Sequence, residues 1–138
     1  MTVVDASIAM SWYFDDEKSP GSDRILEAVG QSGATVPGHW RLEIANSLRT
    51  AVNRGRVTPA YRNAVLDALS GLPIEIDPET VRHAWGATLA LADKHRLTPY
   101  DAAYLELALR RSLPLATLDK ALQAAAATER VEVLPRVL

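Results

Sequence analysis

Short β-branched runs alternate with amphipathic helical stretches along this chain, and no two of the runs are joined by a hairpin signal. No other feature constrains the fold as strongly. Strands separated by helices are joined by crossovers, so they lie parallel in one sheet with helices on both faces. The strand runs are "TVVD" ending at Asp5, "ATVPG", "LPIEID", "LPLATLD" ending at Asp119, and "VEVL". The third alternates apolar and polar residues, which suits an edge position. Helices are expected over "ASIAMSWYF", "DRILEAVGQ", His39 to Asn53 and Thr58 to Leu69. Further ones are expected over "DPETVRHAWGATLALADKH", "LTPYDAAYLELAL" and "DKALQAAAATE". Three of these starts pair a capping side chain with proline at the first helical position: Thr58–Pro59, Asp77–Pro78 and Thr98–Pro99. With 138 residues, no linker and no repeat, the expectation is a single α/β domain over 1–138.

Composition removes several classes of function. There is no cysteine, hence no thiolate nucleophile, zinc finger or iron–sulfur ligation. The apolar runs are too short to span a bilayer, and "TVVDAS" after Met1 has neither the basic nor the apolar region of a signal peptide. A cytoplasmic protein without a membrane role is expected. Net charge is −2, from 15 Lys+Arg and 17 Asp+Glu, so the chain is no general polycation for nucleic acid. A local arginine track remains open, with "RGR" at Arg54 to Arg56 and the pair Arg110 and Arg111 as material, although helix-end charge and solubility account for such residues as well.

Sites in open parallel sheets form outside the carboxyl ends of the strands. Two strands end at an aspartate there, Asp5 and Asp119, and each is also a good helix N-cap. Strand ends of one parallel sheet face the same way, so neighbouring strands would bring these two together. In "PGHWRLEIANSLRTAV", Ile44, Leu48 and Ala51 form a helical apolar stripe, while Glu43, Asn46 and Ser47 share a polar face. Glu43 lies in the first turns of a helix that follows a strand, near the same edge. Asp101 falls at the third position of its helix, where it could cap and complement the dipole or point into an acidic pocket. Ala102 and Ala103 beside it would let that helix approach the sheet closely. Four carboxylates gathered in one place repel one another unless a cation offsets them. With oxygen donors alone, the cation would be Mg²⁺ or Mn²⁺ rather than Zn²⁺.

The ordered pieces "VVDASIAMSWYF", "VPGHWRLEIANSL", "LTPYDAAYLELAL" and "LPLATLDKAL" resemble the PIN domain, and within it the VapC-type toxins of bacterial toxin–antitoxin pairs. The likeness runs from residue 3 to residue 122. It implies a PIN-like three-layer α/β/α fold with a short parallel sheet, and Mg²⁺-dependent endoribonuclease activity in which Mn²⁺ can substitute. It also implies an acidic quartet of Asp5, Glu43, Asp101 and Asp119 as catalytic and metal-ligating residues. Ser7, Asn46 and Thr117 match residues that support the ligands or position substrate. RNA would be cut by metal-activated water, leaving a 5′-phosphate and a 3′-hydroxyl. The implied partners are an RNA substrate, a cognate VapB-type antitoxin, a second copy in a homodimer, and a toxin–antitoxin hetero-oligomer. The helical hairpin at His39–Asn53 and Thr58–Leu69 offers apolar faces for an amphipathic partner helix.

His39, His83 and His95 read as packing or surface residues, and Trp12, Trp40 and Trp85 as core or interface. Asp15, Asp16 and Glu17 read as solvated helix-end charge. The alternatives are a metal-dependent DNA nuclease and a non-catalytic RNA- or protein-binding module on the same fold. A phosphorylation receiver would need an adjacent acidic pair at the first strand and a lysine ending the fifth, and neither is present.

Overall fold

The computed structural model describes residues 1–136, so residues 137–138 of the domain expected over 1–138 lie outside the described residues. The chain runs β1 (Thr2–Val4), α1 (Ala6–Ser11), α2 (Pro20–Ser32), β2 (Ala34–Val36), α3 (Trp40–Asn53), α4 (Pro59–Ser70) and β3 (Ile74–Ile76). Then follow α5 (Thr80–His83), a π-helical segment (Ala84–Thr88), α6 (Leu89–His95), α7 (Pro99–Arg111), β4 (Leu115–Ala116), α8 (Lys120–Thr128) and β5 (Val133–Leu134). The five strands form one parallel sheet in the order β3-β2-β1-β4-β5. Helices flank it, as the alternation predicts, and "LPIEID" does supply an edge strand.

β1 lies in the middle, with Val3 opposite Thr35 on one side and Leu115 on the other. Val3 and Val4 are fully buried, and Ile8, Leu48, Leu105, Leu107 and Leu122 close over the sheet from the helices. Burying side chains of this size contributes roughly 1.5–3 kcal/mol each, which is what holds such short strands in register. Ile44, Leu48 and Ala51 are buried on α3, as their spacing predicts. Among the described residues, no helix is long and apolar enough to cross a membrane.

Three expectations need correction. The stretch from Asp77 to His95 is not one long helix. Glu79, not Asp77, precedes the first turn and makes no side-chain cap, and the backbone at Gly86 leaves helical geometry (φ −108°, ψ −107°). Glycine lacks the Cβ that would restrict such a bend. Asp77 is instead gripped by the Thr80 hydroxyl at 2.8 Å and by Arg110 at 2.7 Å. The first helix stops at Ser11, and the following Trp12 donates its indole N–H to Ser22 O at 2.9 Å, tying the chain to α2. The fourth strand pairs only through Leu115 and Ala116, so Asp119 stands three residues beyond it as the cap of α8. Thr117 N–H still donates to Leu134 O at 3.0 Å before the chain turns away.

Candidate active site

The carboxyl ends of β1 and β4 are clipped together by two hydroxyls. Ser7 Oγ donates to Asp5 Oδ1 at 2.6 Å and accepts from Leu118 N–H at 3.0 Å. Thr117 Oγ1 donates to Asp5 Oδ2 and accepts from Asp119 N–H at 3.0 Å. Asp5 also accepts from Ile8 N–H at 3.1 Å, so it caps α1 as its position allows. Both oxygens of a buried carboxylate are thereby oriented, and Ser7 and Thr117 are the residues that orient them. Asp119 caps α8 in the same way, accepting from Leu122 N–H at 2.9 Å. Capping and site placement coincide at both strand ends.

Asp101 sits in the first turn of α7, where the cap is Thr98, whose hydroxyl accepts from Asp101 N–H at 3.1 Å. The cap is therefore made by Thr98, whose hydroxyl also acts on the Asp101 carboxyl and offsets part of its rise. Glu43 projects from the first turn of α3, half-buried. It accepts from the Tyr104 hydroxyl, and His39 Nε2 lies 3.3 Å from the same oxygen, Oε1.

Electrostatics link the four. Burial pushes the Asp5 carboxyl up to about 6, against the pull of its hydrogen bonds from Ser7, Thr117 and Ile8, and Glu43 adds to the rise. Burial also raises Asp101, and the charges of Asp119 and Glu43 raise it further. Asp5 therefore feels Glu43, and Asp101 feels both Glu43 and Asp119. Carboxylates from four separate elements share one acidic edge of the sheet. Among the described residues, no Lys or Arg side chain lies in ion-pair range of any of them.

An oxygen-only donor set of this kind suits a hard divalent cation. As placed, however, no three Asp, Glu or His side chains among the described residues stand close enough to hold an ion. Asp5 has both oxygens engaged in hydrogen bonds, and Glu43 has one oxygen on Tyr104. The donors fit such an ion by chemistry and location.

Asn46 is exposed and shares a cavity of about 390 Å³ with Ser7, Met10 and Phe14, making no hydrogen bond to the quartet among the described residues. Arg56 borders that cavity too, stacked 4.7 Å from the Phe14 ring centroid and paired with Asp16 at 3.1 Å and Glu17 at 3.5 Å. Asp16 and Glu17 are thus charge partners of an arginine at the helix end. Trp12 and Trp40 are buried, while Trp85 is 95% exposed at the bend around Gly86. His95 pairs with Glu129 at 2.7 Å, away from the quartet.

Sequence reasoning missed His39 and Tyr104. His39 packs edge-on against Tyr100 and Tyr104, at centroid distances of 5.7 and 5.5 Å, and is no bystander. Tyr104 is 1% exposed, and burial together with Glu43 pushes its phenol well above the ordinary range, keeping it a donor. The signal was in the spacing: His39 lies one turn before Glu43 on α3, and Tyr104 one turn after Asp101 on α7.

A family model described as PIN domain matches residues 2–128. The chain belongs to the PIN-domain family. It is 31% identical over 124 residues to Ribonuclease VapC3 of Pyrobaculum aerophilum, covering 87% of this chain and 90% of that protein. It is 32% identical over 127 residues to Ribonuclease VapC3 of Mycobacterium tuberculosis, covering 87% and 83%. Among solved structures it is similar to PAE2754 from Pyrobaculum aerophilum, with a TM-score of 0.69 and 23% identity over 96% of this chain and 82% of that one. It is also similar to FitAcB from Neisseria gonorrhoeae, with a TM-score of 0.65 and 16% identity over 96% of both chains. The PIN fold and family expected from the four motifs are borne out, and all four motifs fall inside the matched residues.

Proposed function

We propose that this PIN domain is a Mg²⁺-dependent endoribonuclease of the VapC type, with Mn²⁺ able to substitute, acting in the cytoplasm as the toxin of a toxin–antitoxin pair. The observation that carries the reading is the convergence of Asp5, Glu43, Asp101 and Asp119 at one sheet edge, where Glu43 helps to raise Asp5, and Asp119 and Glu43 help to raise Asp101, with no Lys or Arg paired to them among the described residues. The names of the curated relatives support the substrate class.

A divalent ion held by these carboxylates would offset their repulsion, attract a phosphodiester and acidify a water. The chain's own contribution is orientation. Ser7, Thr117 and the Ile8 amide fix Asp5, which is buried, and the Leu122 amide fixes Asp119, which is exposed. Asp101 and Glu43 stand half-buried on helix first turns, and with the exposed Asp119 they face the side from which a phosphate would arrive. With such an ion supplying an acidified water, the nucleophile would be water rather than the ribose 2′-hydroxyl, and the product ends would be a 5′-phosphate and a 3′-hydroxyl.

The test is incubation of single-stranded RNA and DNA with the protein in Mg²⁺, in Mn²⁺ and in EDTA, beside Asp101→Asn. Removing a residue that merely supports a metal ligand costs 10–100-fold, so loss of a direct ligand should lower RNA cleavage by at least about 100-fold. Cleavage that survives EDTA, or ends in a 2′,3′-cyclic phosphate, would refute the reading. Cleavage of DNA alone would make the chain a DNA nuclease, and no cleavage of either a binding module.

The partners proposed are a second copy and an antitoxin. A cavity of about 310 Å³ between α3, α4 and the free edge of β3 supports the latter, lined by Trp40, Ile44, Leu66, Leu69, Ile74 and Ile76. Such a groove fits the apolar face of an amphipathic helix. An antitoxin Arg or Lys placed among the four carboxylates would supply the missing positive charge and shut the site. A complex that bound Mn²⁺ and cut RNA as well as the free toxin would exclude that device.

A further inference from the structure

Glu43 differs from the other three acids in what holds it. Asp5 is fixed by Ser7, by the Ile8 amide and by the Thr117 hydroxyl from the end of β4, and Asp119 by the Leu122 amide; each thus accepts from a helix-start amide, as Glu43 does not among the described residues. Glu43 is held by a side chain 61 positions away, the Tyr104 hydroxyl on α7. That phenol also stands close enough to Asp5 and to the Ala6 amide for both to act on it. It is therefore a buried post beside the acidic edge, with its hydroxyl on Glu43.

Two neighbours approach the same oxygen of Glu43. Tyr104 donates to Oε1, and His39 Nε2 lies 3.3 Å from it while also lying 3.0 Å from Tyr100 O. A ring nitrogen set between two acceptors is favourable only with its hydrogen on that nitrogen, which assigns the proton to Nε2. Among the described residues, no hydrogen bond reaches Glu43 Oε2.

From this geometry we infer that Tyr104 is the positioning residue of the acidic site: by anchoring Glu43 Oε1 it presents Oε2 alone, as a single-oxygen ligand, to the divalent cation. The inference deepens the proposed function and rests on it. Without the phenol, Glu43 is a half-exposed side chain on the first turn of α3 with only the longer 3.3 Å approach of His39 near its Oε1. It would sample several rotamers, and the cation would have to select one of them. Residues that orient metal ligands through hydrogen bonds act in this manner, at a cost of 10–100-fold in affinity when removed.

The experiment is Mn²⁺ binding to RNA-free protein, followed by the electron paramagnetic resonance signal of the free ion, with the melting temperature in EDTA measured alongside. The proteins are wild type, Tyr104→Phe, Glu43→Ala and the double variant. Tyr104→Phe removes one oxygen and keeps the buried ring. It should weaken Mn²⁺ binding about tenfold while moving the EDTA melting temperature little. In the Glu43→Ala background the same change should cost nothing further, because its effect runs through Glu43. Equal binding by Tyr104→Phe and wild type would overturn the inference and leave the metal site standing. A tenfold loss that persists in the Glu43→Ala background would also overturn it, since the phenol would then act by another route. Failure of wild type itself to bind Mn²⁺ would bring down the proposed metal site, and this inference with it.

Discussion

The molecule gathers acidic side chains twice, and the two groups are held in opposite ways. Asp77, Glu79 and Glu106 surround the Arg110 guanidinium, with contacts of 2.7 Å to Asp77, 2.8 Å to Glu106 and 3.5 Å to Glu79. Burial pushes Asp77 up, but the hydrogen bonds from Arg110, Thr80 and the Glu79 amide outweigh it and hold the carboxyl below its ordinary value. At the quartet no Lys or Arg is supplied among the described residues, and only His39 lies beside Glu43. There burial and mutual repulsion win, and Asp5 and Asp101 are raised. An acidic cluster with a built-in counter-charge is a structural joint, here between α7 and the turn after β3. One without it has room for a cation that comes and goes.

The contrast can be broken most forcefully at Arg110. Arg110→Met would leave Asp77 and Glu106, 4% and 5% exposed, buried without a counter-charge. Removing one partner of such a buried pair costs about 3–5 kcal/mol, so denaturant melts should show a loss of that order. RNA cleavage per folded molecule should not change. A small stability loss with abolished cleavage would mean that this cluster belongs to the active site.

The pH dependence of the metal-free protein sharpens the same contrast. Asp5 ionises at 3.8 in an ordinary setting and at about 6 in the fold, so the native state favours its protonated form. Its destabilising effect is full above about pH 6, fades between pH 6 and 3.8, and is gone below. That gap corresponds to at most about 3 kcal/mol. Asp77, lowered by its partners, stabilises the fold above 3.8 and loses that contribution as pH falls through its depressed value. Thermal melts in EDTA should therefore rise from pH 7 toward pH 5 and fall again below pH 4. Asp5→Asn should flatten the first limb and leave the second. If the first limb persisted in that variant, some other buried acid would be responsible for it.

Most of this organisation was readable because it follows from local rules. The cap-proline starts at Thr58 and Thr98, the stripe of Ile44, Leu48 and Ala51, and the edge character of "LPIEID" are each fixed within a dozen residues. The parallel sheet then places the aspartates that follow β1 and β4 at one edge, whatever their side chains do. What escaped depends on long-range partners. Asp77 looks like a cap until Arg110, 33 positions away, takes its carboxylate. The break at Gly86 is one glycine inside a good helical pattern, and its effect is decided by packing. His39 read as a packing or surface residue and Tyr104 drew no reading, because their meeting at Glu43 needs α3 and α7 to be set side by side. In sequence, chemistry carried by strand ends is visible. Chemistry carried by contacts between helices is not.

The smallest effects lie at the start of α7, where one turn holds both a cap and a candidate ligand. Thr98 makes the cap, and Thr98→Ala should cost about 1 kcal/mol of stability in EDTA. Asp101→Asn removes a charge from the helix N-terminus, a loss of roughly 0.3–1 kcal/mol, but it also relieves the repulsion from Asp119 and Glu43. These oppose each other, so the net change should be under about 0.5 kcal/mol. With Mn²⁺ present the order should reverse. An ion bound only by the folded state raises the melting temperature of Thr98→Ala as it does that of wild type, whereas Asp101→Asn should gain far less. If Asp101→Asn were instead the less stable of the two in EDTA and gained as much from Mn²⁺, its carboxylate would belong to the helix rather than to the cation.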